Sequence, residues 1–161
     1  MISHENLLFI SSNVNAFINS YQKKLPNLES GGIILGKILP CKHILIEELT
    51  APSQKDKRGF YFFERDKNSA QKIINTRWHE SRGETIYLGE WHTHNEDNPK
   101  PSKRDLSMIK NQLITSKMEI DFLLLLIIGQ KSNYFGIETN TGHHVIKTSN
   151  NPFCFYINPI K

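Results

Sequence analysis

The sequence predicts an α/β domain in which helices pack on a mixed sheet, and three observations carry that reading. Strand-like segments are interspersed with three helix-like ones. The stretch 122–128 is continuously apolar, the mark of a central strand buried on both faces. No repeat with a period of about 20 to 50 residues and no low-complexity linker divides the chain, so residues 1–161 read as one domain.

Each element has its own signal. Residues 6–10 form a short apolar strand, after which Ser11 and Ser12 offer a helix cap. Val14, Phe17, Ile18 and Tyr21 then recur at helical spacing, so a helix runs over 12–25 and stops at Pro26. Glu29 opens a strand over 30–36 whose glycines mark close approach of another backbone or a ligand. Residues 38–39 and 43–49 read as a strand pair turning at Pro40, Cys41 and Lys42. The polar, basic stretch 53–59 reads as a solvated loop able to guide a substrate, and the aromatic run 60–63 first as a core strand and second as a binding patch. Asp66 caps a helix to Ser81, with Ala70, Ile73, Ile74 and Trp78 as its apolar positions and Gly83 as its stop. Thr85 to Leu88 lead into the strand that carries the chemistry. A helix over 102–118 turns Leu106, Ile109 and Leu113 inward. After the apolar strand come a strand over 134–138, a turn at Asn140, Thr141 and Gly142, and a strand over 143–146. The tail 151–161 has strand-like apolar content and no chemical signal.

Composition narrows the function classes. Lys and Arg number 20 against 16 Asp and Glu, giving a net charge of +4, a mild excess with no Arg-rich arm and no aromatic string of the RNA-binding kind. Nucleic-acid binding is therefore not expected. The two cysteines, Cys41 and Cys154, stand far apart, which fits a reduced, cytoplasmic compartment. The first residues lack the charged region and cleavage site of a signal peptide. The longest apolar run falls far short of the roughly 20 residues of a membrane helix, so no membrane partner is expected.

The chemistry gathers in Gly89-Glu90-Trp91-His92-Thr93-His94, followed by the loop 95–101 with Pro99 and Pro101, and then Ser102-Lys103-Arg104-Asp105. Side chains alternate faces along a strand, so His92 and His94 point the same way and can share one metal ion. Asp105, brought back in the first turn of a helix, is the natural third ligand. Glu90 shares the face of the histidines one pleat farther down and competes for that place. Two neutral nitrogens and a carboxylate oxygen suit zinc rather than magnesium or calcium, with a position left open for water. Ser102 and Asp105 also carry the signature of a helix start. The neighbouring histidines His143 and His144 face opposite sides and make a poor metal site.

His92-x-His94, seven residues, then Ser102-x-x-Asp105, preceded upstream by Glu29 in Glu29-Ser30-Gly31-Gly32, resembles the JAMM (MPN-plus, JAB) zinc metalloprotease signature. The run from Tyr87 to His94 is similar to the bacterial stand-alone branch, which includes the small deconjugating peptidases of cyclic-nucleotide anti-phage (CBASS) operons. One departure is Asn95, where these relatives carry a proline; it is expected to loosen the loop without removing a ligand. The resemblance implies a JAB/MPN, cytidine-deaminase-like fold: a curved, mostly antiparallel mixed sheet with helices on its faces. It implies zinc held by His92, His94 and Asp105, with Glu29 as general base and Ser102 as donor to the oxyanion. It also implies an isopeptidase that cleaves after the C-terminus of a ubiquitin-like modifier, with conjugates of a nucleotide-synthesising enzyme (CD-NTase) as the target in anti-phage defence. Two alternatives share these residues: processing of a sulfur-carrier protein or small peptide, and a non-catalytic interaction scaffold.

Overall fold

The computed structural model describes residues 6–157. In chain order the strands are β1 (Leu7–Ile10), β2 (Gly31–Ile38), β3 (Ile44–Leu49), β4 (Lys57–Arg58), β5 (Phe63–Glu64), β6 (Ile86–Thr93), β7 (Phe122–Ile128), β8 (Asn133–Thr139), β9 (Gly142–Val145), β10 (Lys147–Thr148) and β11 (Cys154–Tyr156). The helices are α1 (Ser12–Lys23), α2 (Lys67–Glu80) and α3 (Lys103–Thr115). Nine strands form one sheet in the order β10-β11-β1-β3-β2-β6-β7-β8-β9, and β4 and β5 pair as a separate hairpin. Only β1 with β3 and β6 with β7 run parallel, so the sheet is mixed and mostly antiparallel, as expected. Of the predicted tail, residues 158–161 lie outside the described residues, as do the first five.

Two apolar layers hold the helices to the sheet. On one face Ile34, Trp91, Leu124, Leu126 and Ile128 pack with Val14 and Ile18 of α1. On the other, Ile33, Leu35, Tyr87 and Leu123 pack with Ala70 of α2 and Ile109 of α3. Every residue of β7 is buried, and each fully buried Leu or Ile contributes about 1.5–3 kcal/mol relative to an exposed one. Trp91, directly before His92 in sequence, is fully buried. Its ring meets Phe17 and Tyr21 edge-on at 5.2 and 5.0 Å, and its indole N–H donates to the Thr50 carbonyl at 3.1 Å. The strand β6, which holds His92 and ends directly before His94, is thus anchored from behind by α1.

Several elements depart from the sequence reading. Ile38 continues β2 rather than starting a separate strand, and the turn to β3 has Lys42 at φ 61°. The stretch 53–59 is more than a loop: Lys57 and Arg58 pair with Phe63 and Glu64. Of the aromatic run only Phe63 is buried, while Phe60 and Tyr61 are 67% and 91% exposed at the hairpin tip. A two-residue strand leaves too little length for the run to cross the core. Trp78 is half exposed and lies against Gly83 rather than the sheet. α3 ends at Thr115, where Ser116 turns extended, short of the expected Met118.

Gly89 lies at φ +154°, and a Cβ there would stand 2.0 Å from the Leu124 carbonyl oxygen. It sits where the pairing of β6 with β2 slips: Ile34 faces Gly89 and Leu35 faces Tyr87, leaving Leu88 unpaired as a bulge. Gly89→Ala is expected to cost about 1–3 kcal/mol from backbone strain alone, read as a fall in melting temperature of several degrees.

Candidate metal centre

Gly31 faces His92 across the β2–β6 pair, and this register brings Glu29 to the histidines. A Cβ on Gly31 would lie 2.5 Å from the Trp91 carbonyl oxygen and 2.6 Å from the Phe63 ring, so only glycine lets the chain before β2 close onto β6. Ser30 seals the approach: its N–H donates to Thr93 Oγ1 at 3.0 Å, and its carbonyl accepts from the Thr93 N–H at 2.8 Å.

The loop 95–101 returns the chain to α3. It is pinned to the β7–β8 turn: the N–H groups of Gln130 and Lys131 donate to the carbonyls of Glu96 and Asp97 at 2.7 and 3.0 Å, and buried Pro99 packs on Gly129. Asn95 joins in, accepting from Gln130 Nε2 at 2.5 Å, so the loosening expected at this position is not what the structure has. Ser102 and Asp105 form a capping box: the Ser102 N–H donates to Asp105 Oδ2 at 2.7 Å and the Asp105 N–H to Ser102 Oγ at 3.1 Å. The cap aims the carboxylate inward and leaves the Ser102 hydroxyl its own proton to donate.

Four buried polar side chains converge. His92 Nε2 and His94 Nε2 lie 3.1 Å apart. Each faces one oxygen of Asp105 at 3.4 Å, and Glu29 Oε1 is 3.8 Å from His94 Nε2. A tetrahedral zinc with bonds of about 2.0–2.1 Å has ligand-to-ligand edges of about 3.3 Å, so these donors fit that ion in type and spacing. At 3.1 Å the two Nε2 atoms either share one ring proton or both turn lone pairs toward a common cation. Among the described residues His92, His94 and Asp105 are the one group of three able to hold a metal ion.

The electrostatics favour a cation at this point. Burial opposes the charged form of Asp105, yet the two facing rings and the Ser102 hydrogen bond hold its carboxyl well below the usual carboxylate range. For His94 burial alone would lower the pKa, but the adjacent Asp105 and Glu29 raise it. Burial raises the Glu29 carboxyl against the pull of both rings, the direction a proton acceptor near neutral pH requires. His94 Nδ1 is buried with no hydrogen-bond partner among the described residues, so packing and Nε2 orient this ring.

Glu90 shares the sheet face of His92 but is already engaged. Arg65 Nε donates to its two oxygens at 2.7 and 2.9 Å, and the Tyr87 hydroxyl donates to it at 2.5 Å. Arg65 and Tyr87 were not singled out in the sequence. Residues 87 and 90 are an odd number apart and would face opposite sides of a regular strand; the bulge at Leu88 brings them to one side. His143 pairs with buried Glu138 at 3.0 Å and with the Tyr134 hydroxyl at 2.8 Å, remote in sequence from His92, His94 and Asp105. A cavity of about 340 Å³ opens beside His92 and Asp105, walled by Phe63, Arg65, Arg104 and Met108.

Fold and site together define a class: α/β domains whose reactive side chains converge where a strand end meets a helix N-terminus. Within it the chain belongs to the prokaryotic homologs of the JAB domain, whose family model matches residues 12–142. It is 37% identical over 136 residues to a CD-NTase/cGAS isopeptidase of Pseudomonas aeruginosa, covering 84% of this chain and 85% of the relative. It is 35% identical over 134 residues to a CD-NTase/cGAS isopeptidase of Escherichia coli, covering 82% of each. The solution structure of protein DSY2949 from Desulfitobacterium hafniense shares the fold at a TM-score of 0.56 and 15% identity, over 86% of this chain and 88% of that one.

Proposed function

We propose that this chain is a zinc-dependent isopeptidase that acts as one domain in the cytoplasm and removes conjugates of a CD-NTase or ubiquitin-like modifier in anti-phage defence. The observation that carries this reading is the convergence of Glu29, His92, His94 and Asp105 at distances of 3.1 to 3.8 Å. The names of the Pseudomonas and Escherichia relatives support the substrate class. No described helix is long and apolar enough to cross a membrane.

His92, His94 and Asp105 would hold a zinc ion. When bound, it would act as a Lewis acid and lower the pKa of a water molecule toward about 7. Glu29 accepts a proton from the attacking water as its oxygen bonds to the scissile carbonyl carbon. The Ser102 hydroxyl donates to the oxyanion of the tetrahedral intermediate. Glu29 then delivers the proton to the departing amine as the C–N bond breaks, leaving a free carboxylate and a free lysine or peptide amine. The substrate tail lies extended in the cleft, pairing with a strand edge through its backbone, while narrow pockets admit small residues beside the scissile bond.

The test is cleavage of a CD-NTase conjugate at its isopeptide bond, with both product masses measured. Chelation is expected to abolish cleavage and added zinc to restore it; cleavage that survives metal removal contradicts the reading. Ser102→Ala is expected to slow turnover about 100-fold through the lost donor and to lower stability by about 1 kcal/mol through the lost cap. Ser102→Thr keeps both groups and should retain most of each, measured by steady-state kinetics and thermal melts.

A further inference from the structure

The site reading leaves the largely buried pair of Arg65 and Glu90 without a task. Arg65, directly after β5, and Glu90, two residues before His92, keep side-chain exposures of only 15% and 17%. A buried ion pair adds little stability over apolar side chains of the same volume. What it constrains is geometry: Arg65 Nε lies 2.7 and 2.9 Å from the two Glu90 oxygens, and the Tyr87 hydroxyl holds the same carboxylate.

The geometry leads to Glu29. The Glu29 N–H donates to the Gly59 carbonyl at 2.8 Å, and Arg58 Nε donates to the Glu29 carbonyl at 2.8 Å. Both backbone polar groups of Glu29 are therefore held by the β4–β5 hairpin. Arg58 also reaches the Leu28 carbonyl at 3.2 Å, so the hairpin holds the chain on the near side of Glu29 as well. The far end of the hairpin runs from Phe63 and Glu64 straight into Arg65, and Arg65 is tied to Glu90 on the strand that carries His92 and His94. Among the described residues this is the one ion pair that joins the hairpin to β6. A closed path thus runs from the metal strand through Glu90, Arg65 and the hairpin back to Glu29.

We infer that Arg65 and Glu90, steadied by Tyr87, are positioning residues that fix the β4–β5 hairpin against the metal strand and thereby hold the Glu29 carboxylate over the reacting centre. The inference rests on the reading of Glu29 as general base. A residue that acts only by placing Glu29 affects turnover and not substrate affinity, and it has nothing to act on once Glu29 is gone.

The experiment introduces Arg65→Met, Arg65→Lys and Tyr87→Phe into the full chain, each with Glu29 intact and with Glu29→Ala. Zinc content, KM, and single-turnover cleavage of the conjugate are measured. With Glu29 intact, Arg65→Met should keep its zinc and its KM within about twofold while turnover falls about 10- to 100-fold, the loss expected of a base displaced by about 1 Å. Arg65→Lys should recover part of that loss. In the Glu29→Ala background Arg65→Met should change the residual rate by less than about twofold, since effects that act through one group do not add. Should Arg65→Met fail to fold, Tyr87→Phe removes a single hydroxyl, and its smaller loss should likewise vanish with Glu29. An equal loss in both backgrounds, a loss of zinc in step with activity, or no loss at all overturns the inference while leaving the assignment of Glu29 intact. Full activity of Glu29→Ala by itself overturns that assignment, and the inference falls with it.

Discussion

Glu29→Ala will leave about one zinc per chain in place and lower turnover by about 10²–10⁴-fold, the range typical of a lost general base. The two effects separate because Glu29 Oε1 lies 3.8 Å from His94 Nε2, outside the closer group formed by the two rings and Asp105. Its backbone is tied to Gly59 and Arg58, so shortening the side chain leaves those bonds intact. Metal analysis and single-turnover kinetics on one preparation check both halves. Retained activity would move the base elsewhere, and zinc loss in step with activity would make Glu29 a ligand.

The second large effect distinguishes two carboxylates that the sequence places in competition. Asp105→Asn is expected to weaken zinc binding by more than about 100-fold, beyond what loss of a supporting contact produces, and to abolish cleavage. The amide keeps an oxygen able to accept from the Ser102 N–H, so the start of α3 should survive and circular dichroism should be unchanged. Glu90→Gln is expected to keep its zinc, because Glu90 is engaged by Arg65 and Tyr87. Zinc lost in Glu90→Gln but kept in Asp105→Asn would reverse the assignment.

The legible parts of this site are the ones that depend on local geometry. His92 and His94 follow from strand alternation, and Ser102 with Asp105 from a capping box closed within four residues. The apolar run that became β7 announces a central strand in the same way. Glu29 is different. Its carboxylate reaches the histidines only because β2 pairs with β6 in the register that sets Gly31 opposite His92, and no local period encodes a register between strands so far apart in sequence. The resemblance to JAB proteins supplied that residue. Tyr87 was hidden for a further reason, since the bulge at Leu88 reverses the face that alternation assigns to it, and Arg65 meets Glu90 only across 25 residues of chain. The same limit explains the hairpin: a two-residue strand such as Lys57–Arg58 has no periodicity to read, and its partner at Phe63 is fixed by the close approach at Gly31.

The most direct measurement is a crystal structure of the zinc-loaded chain with anomalous scattering recorded at the zinc edge. One peak is expected, bonded by Nε2 of His92, Nε2 of His94 and a carboxylate oxygen of Asp105, with the Glu29 carboxylate within hydrogen-bond reach of the remaining position. A peak coordinated by Glu90 instead, or no peak between the two imidazoles at saturating zinc, would contradict the account.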